Sequence, residues 1–176
     1  MKHTAAIVAL VLGLGAPTLS LAETASTAAM TEEIAKATTD PQAFVRMAAS
    51  SNVLELESST LALQRSQNAD ILAFAQKMID DHTVAGEKMH TAAQEAGVEV
   101  RNELNEGHQQ EMQALTDATD FDQAYLQLQA KAHDEAVALF EAYSAQGEVG
   151  PLREFATETL STLKDHQGHV RSLIGA

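Results

Sequence analysis

Apolar residues recur at helical spacing in four long stretches of this 176-residue chain, and turn residues bound each stretch. Asp40-Pro41 starts the first, with Asp as N-cap and Pro at the first helical position, where its missing N–H costs nothing. Its stripe is Phe44, Val45, Ala48, Leu56, Ala62 and Leu63, running to about Arg65. After Ser66-Gln67-Asn68, the second runs from Ala69 to Ala96, with Ile71, Ala75, Met78, His82, Ala85, Met89 and Ala92 on one seam and Gly97 past its end. Asp120 caps the third, striped by Phe121, Tyr125, Leu128, Ala132, Leu139 and Tyr143, with His133 beside the stripe. The turn from Gly147 to Gly150 and Pro151 opens the fourth, with Leu152, Ala156, Leu163, His166, Val170 and Leu173 on its seam. The connection from Val98 to Thr119 holds a short helix, Glu106 to Thr116. No single helix can bury its own stripe, so the four must pack into an all-α four-helix bundle with one additional short helix between the second and third.

The N-terminus reads as an export signal. In residues 1–22, Lys2 supplies a positive start, Ala5 to Leu14 an apolar run, and Ser20 and Ala22 the small residues of a cleavage site after Ala22. That run is about ten residues, against the roughly 20 needed to span a bilayer. A periplasmic protein is expected. Residues 23–39, rich in Ala, Thr and Ser, are expected to be a flexible lead-in with one helical turn around Met30 to Ala37, leaving 40–174 as the bundle domain.

The formal charge of −14 repels nucleic acid phosphates and anionic lipid faces, so neither is expected as a partner. The absence of cysteine removes disulfides, thiol nucleophiles and thiolate metal sites. With no Trp and only 4 % aromatic residues, no sugar- or base-stacking surface is expected. There is no G-x-S-x-G, no HExxH, no phosphate-cradling Gly-rich loop and no dinucleotide fingerprint, which leans against a familiar enzyme.

Four segments carry a more specific pattern: FVRMAASSNVLELESSTLALQ (44–64), ILAFAQKMIDDHTVAGEKM (71–89), FDQAYLQLQAKAHDEAVALFEAYSAQGE (121–148) and LREFATETLSTLKDHQGHVRSL (152–173). With a Glu on an Ala-rich first helix, FA-x-x-M-x-x-DH on the second, FD-x-x-YL…H on the third and a late L-x-x-H, the chain resembles the exported bacterial family known as domain of unknown function 4142. The resemblance spans about residues 40–174. It implies a ferritin-like bundle and a place in the cell envelope, and carries over no catalytic residues.

Each long helix also sets one metal-competent side chain on or beside its stripe: Glu55, His82, His133 and His166. At about 1.5 Å of rise per residue, the four fall within roughly 8 Å of one another along the axis if both turns share an end, and near mid-height if the long connection crosses the bundle. Three neutral imidazoles and a carboxylate suit zinc, iron or manganese, and bundles build metal centres in this position. The same residues would also serve as a hydrogen-bonded network that sets helix register with no ion at all, and on the sequence that structural reading is placed first. The ferritin-type di-iron signature requires Glu three residues before His, and Ile79, Ala130 and Leu163 stand there instead. Asp81 and Asp165 each precede a His, but neighbours on a helix point about 100° apart. Tyr125 is a further candidate support for His133, two turns before it.

Other spacings are weaker. Glu87 with His90 reads as a surface pair, and His169 beside His166 as a solvated residue near the chain end. Met47, Met78, Met89 and Met112 would suggest copper, but three of the four fall where core filler is expected. The leading function is therefore a non-enzymatic envelope protein with a stress-related or interaction role, with an envelope protein or a second copy as partner. The rival is a metal-binding protein or metal-dependent oxidoreductase using Glu55, His82, His133 and His166.

Overall fold

A computed structural model of the protein describes residues 21–175, so the expected leader lies almost wholly outside the described residues. Six helices are described: α1 (Leu21–Thr39), α2 (Pro41–Arg65), α3 (Ala69–Ala96), α4 (Glu106–Asp117), α5 (Phe121–Gln146) and α6 (Gly150–Ile174). Four of the helix starts, those of α2, α3, α4 and α5, are capped by side chains, whereas α6, preceded by Val149, has no such cap. Asp40 accepts from the Ala43 amide, Asn68 from Asp70 and Ile71, Asn105 from His108, and Asp120 from Gln123, each taking up a donor that the helix itself leaves unpaired. Gly97 ends α3 at φ 68°, a left-handed conformation that suits glycine.

The long helices α2, α3, α6 and α5 form a square in that order, each packed on its two neighbours. Two sets of hydrogen bonds settle the connectivity. The Gln42 side chain, at the start of α2, pairs with both backbone groups of Glu99 (2.8 and 3.3 Å). Arg65, at the other end of α2, donates to the carbonyls of Thr116 (2.6 Å) and Ala118 (3.2 Å). The segment between α3 and α5 therefore travels the length of the bundle, with α4 lying against α2 and α5. As a result α5 runs parallel to α3, and α6 returns antiparallel. One long crossover of this kind is the connectivity of ferritin-like bundles.

Residues 23–39 differ from the expectation of a lead-in with a single turn: they lie within α1, which packs against α5 and α2. Ala-rich sequence favours helix strongly, and the anchoring is done by Ala37, fully buried, and Ile34 packed beside it. Among the described residues α1 turns Met30, Ile34, Ala37 and Thr38 inward, a stripe too short and mixed for its period to stand out in the sequence. Leu63, read as part of the first stripe, is 37 % exposed.

The interior is divided. One apolar cluster, around Phe44, Met89, Phe140, Tyr143, Leu152 and Phe155, fills the end where α2 begins; Phe44 stacks on Tyr143 with ring centroids 3.8 Å apart. A second, around Leu54, Phe74, Met78, Tyr125, Leu128 and Val170, fills the other. Between them lie the buried polar residues Glu55, Ser58, His82, Gln129, His133 and His166.

Candidate metal centre

His82 is held by α3, His133 by α5 and His166 by α6, and all three are buried, at 6, 1 and 1 % exposure. Their ring centroids form a near-regular triangle with sides of 5.8, 5.6 and 5.3 Å. One ring nitrogen from each lies within 4.8 Å of one from each of the others.

The hydrogen-bond partners assign the tautomers. His133 Nδ1 lies 2.9 Å from the Gln129 carbonyl, which only accepts, so Nδ1 carries the proton. His166 Nε2 lies 2.7 Å from Asp81 Oδ2. Partial burial works against the Asp81 charge, but hydrogen bonds from Lys77 and His166 outweigh it and hold the Asp81 pKa below its usual value. Asp81 is thus a carboxylate acceptor, and His166 Nε2 donates. His82 Nδ1 lies 3.1 Å from Asn52 Oδ1 and donates to it.

Each imidazole has therefore committed one nitrogen outward, leaving the lone pairs of His82 Nε2, His133 Nε2 and His166 Nδ1. His82 Nε2 is buried without a hydrogen-bond partner among the described residues. His133 Nε2 and His166 Nδ1 face each other at 3.4 Å, with no proton between them in these tautomers. Burial pushes the His166 pKa down to about 4 despite the opposing Asp81 hydrogen bond, and burial together with the neighbouring His133 and His166 pushes that of His82 well below its usual value. At neutral pH these two rings are uncharged bases. Such a set of bare nitrogens, each oriented by an outer hydrogen bond, is how metal-ligating histidines are supported.

Glu55 stands apart from the three. It comes from α2 and is 1 % exposed, with Oε1 lying 3.6 Å from His133 Nδ1, the outward nitrogen. Neither carboxylate oxygen has a hydrogen-bond partner among the described residues. Burial raises its pKa, against the lowering influence of His133 and Gln129 beside it. The structure thus brings His82, His133 and His166 together and places Glu55 behind one of them.

Several supporting residues escaped the sequence reading. Asp81 serves His166 on α6, not its chain neighbour His82. Asn52 and the Gln129 carbonyl were not singled out at all. The available signal was Gly86, a helix-interior glycine one turn past His82: a Cβ there would stand 3.1 Å from Asn52 Nδ2. Tyr125 bonds Ser59 at 2.9 Å instead of His133. His90 and His169 are exposed, His90 bonding Asn102 and His169 lying edge-on to Phe74.

Fold and site together define a helical bundle with a buried three-histidine cluster at its centre, supplied by three of the four long helices. The chain belongs to the family described as "Domain of unknown function (DUF4142)", which it matches over residues 23–173. Among solved structures it is similar to "CopM in the Cu(II)-bound form", with 18 % sequence identity and a TM-score of 0.65 over 77 % of this chain and 95 % of that one. At that identity the likeness is one of fold. No curated protein matches the sequence. Among the described residues, no helix is long and apolar enough to cross a membrane.

Proposed function

We propose that this protein binds a transition-metal ion through His82, His133 and His166, and that it does so in the cell envelope. The observation that carries this reading is the trio of inward lone pairs. A network that only set helix register would satisfy its buried groups, since an unpaired buried donor or acceptor costs about 1–3 kcal/mol. Here His82 Nε2, both Glu55 oxygens and Gln129 Oε1 are unpartnered among the described residues. A cation would take up the imidazole lone pairs and remove the repulsion across the 3.4 Å contact. These unpartnered nitrogens support the metal reading over the structural network placed first on the sequence.

The donor set narrows the metal. Three imidazoles without a carboxylate suit zinc and copper, also iron, and do not suit manganese, which prefers oxygen ligands. CopM, similar in fold, was solved with Cu(II), which makes copper the first ion to try beside zinc. Three protein ligands leave a fourth position open to water or an exogenous donor. The interaction reading has less support: the exposed large hydrophobics among the described residues are Leu63, Val84 and Ile174, on three different helices. The envelope location rests on the leader read in residues 1–22.

The test is metal content by mass spectrometry on protein purified from the periplasm without chelator, beside a His82→Ala/His166→Ala variant shown by circular dichroism to be folded. One zinc or copper per chain, lost in the variant, is expected. A folded wild type that is empty and takes up neither ion would overturn the reading.

A further inference from the structure

The cluster is buried, so an ion needs a way in, and three cavities joined by shared lining residues run from the surface to His82. Beside the cluster, between all four long helices, lies a cavity of about 20 Å³ whose wall includes His82, Asn52, Ser51 and Ala136. That volume admits one water-sized species. The same two small residues, Ser51 on α2 and Ala136 on α5, also line a second cavity of about 50 Å³ on the outer side of the α2–α5 seam. This second cavity shares Met30, Glu33, Met47, His108 and Glu135 with an open cavity of about 420 Å³ between α1, α2, α4 and α5. The wall separating the bundle centre from this groove is thus built of a serine and an alanine, where a bundle core ordinarily places larger side chains. At the inner end waits His82, whose buried Nε2 has no hydrogen-bond partner among the described residues.

We infer that metal ions reach the three-histidine centre from the α1/α4 side, through the seam between Ser51 and Ala136. The inference rests on the metal-binding reading above and adds its route. The chemistry along the path suits a borderline-soft cation. The mouth carries two thioethers, an imidazole and four carboxylates beside Lys36, Arg46 and Lys131, and Lys131 holds Glu111 and Glu135 at 2.7 Å each; none of these belongs to the buried centre. With Glu111 and Glu135 taken up by Lys131, Met30, Met47 and Glu33 are the weak, separate donors that would hold a cation and release it inward. His108 is fixed in place by its 2.7 Å hydrogen bond to Ser50, one residue before the gate. The α1 helix, which carries Met30 and Glu33, roofs the mouth and would make entry sensitive to how firmly it is docked.

The experiment is stopped-flow absorption with Cu(II) on the metal-free protein, comparing wild type with Ser51→Leu and with Ala136→Leu, each checked for native helicity. Equilibrium affinity is measured in parallel by competition. A blocked gate slows uptake and release together, by about tenfold or more, and leaves the affinity within about twofold of wild type. Because Ala136 is buried and its variant could fail to fold, the half-buried Ser51 provides the second arm. If folded Ser51→Leu protein takes up Cu(II) at the wild-type rate, or loses affinity in step with rate, the route is wrong while the metal centre stands. If the wild type binds neither Cu(II) nor Zn(II) at equilibrium, the metal reading falls and the route with it.

Discussion

What turns three histidines into a candidate metal centre is the set of atoms behind them. Asp81, the Gln129 carbonyl and Asn52 each take one imidazole N–H and so leave the other nitrogen of that ring basic. Asp81 is itself paired with Lys77 at the surface, an exposed ion pair that contributes little to stability, so its main effect is on the orientation of His166. Asp81→Ala should therefore lower metal affinity by about 10–100-fold while the helical content stays unchanged, as a competition titration with a chromophoric chelator would read. Glu55 is a contrasting case. It lies against the outward face of His133 with no hydrogen-bond partner among the described residues, and burial disfavours its charge. Glu55→Gln should keep one metal per chain and raise stability by about 1 kcal/mol, a rise of roughly 2–4 °C in the thermal midpoint. Loss of the metal in that variant would return Glu55 to the ligand set.

Within the elements, α3 shows how local preference yields to the site. Glycine in a helix interior costs up to about 1 kcal/mol relative to alanine, yet Gly86 sits in mid-helix. A Cβ there would crowd the amide of Asn52, the residue that holds His82. Gly86→Ala should gain helix stability and lose metal affinity severalfold, the two measured separately by thermal unfolding of the metal-free protein and by titration. If affinity were unchanged, Asn52 would have room to spare and would not be what aims His82. This helix also shows what the sequence could reveal. Its boundaries, its stop at Gly97 and the inward His82 all follow from local periodicity and turn chemistry, and so do the boundaries of α2, α4 and α5. The partners of the histidines do not, because a buried side chain on one helix is satisfied from another, and spacing along one chain segment is silent on that. Asp81 was weighed only against its neighbour His82. The α1 helix is hard to read for a different reason: the side chains it turns inward among the described residues, Met30, Ile34, Ala37 and Thr38, make a short and mixed stripe, and its hold on the bundle comes from contacts with α2 and α5.

For the whole molecule, the polar layer sits between two apolar clusters, so whatever happens there is felt by three helices at once. Acid is the clearest probe. His166 has a pKa near 4 in the fold against an ordinary 6.5, and that of His82 is also well below its ordinary value. Between those limits the unfolded chain binds protons that the native state refuses, so stability rises with pH across that window. The contribution is fully present above about pH 6.5 and is lost as pH falls toward 4, amounting to about 3 kcal/mol for His166, or roughly 10 °C in the thermal midpoint. An ion on the three nitrogens adds to this, because it binds only the folded arrangement: at a free concentration a hundredfold above Kd, it contributes about 2.7 kcal/mol. Protons compete for the same lone pairs, so the gain from metal should fade over the same acid range. Thermal midpoints from pH 7.5 to 4, with and without one equivalent of copper or zinc, would therefore show two curves that separate at neutral pH and converge in acid. In His82→Ala/His166→Ala protein the metal-dependent separation should vanish and the slope of the metal-free curve should flatten. Parallel curves in the wild type would mean that the ion binds elsewhere, on groups that do not titrate with the histidine layer.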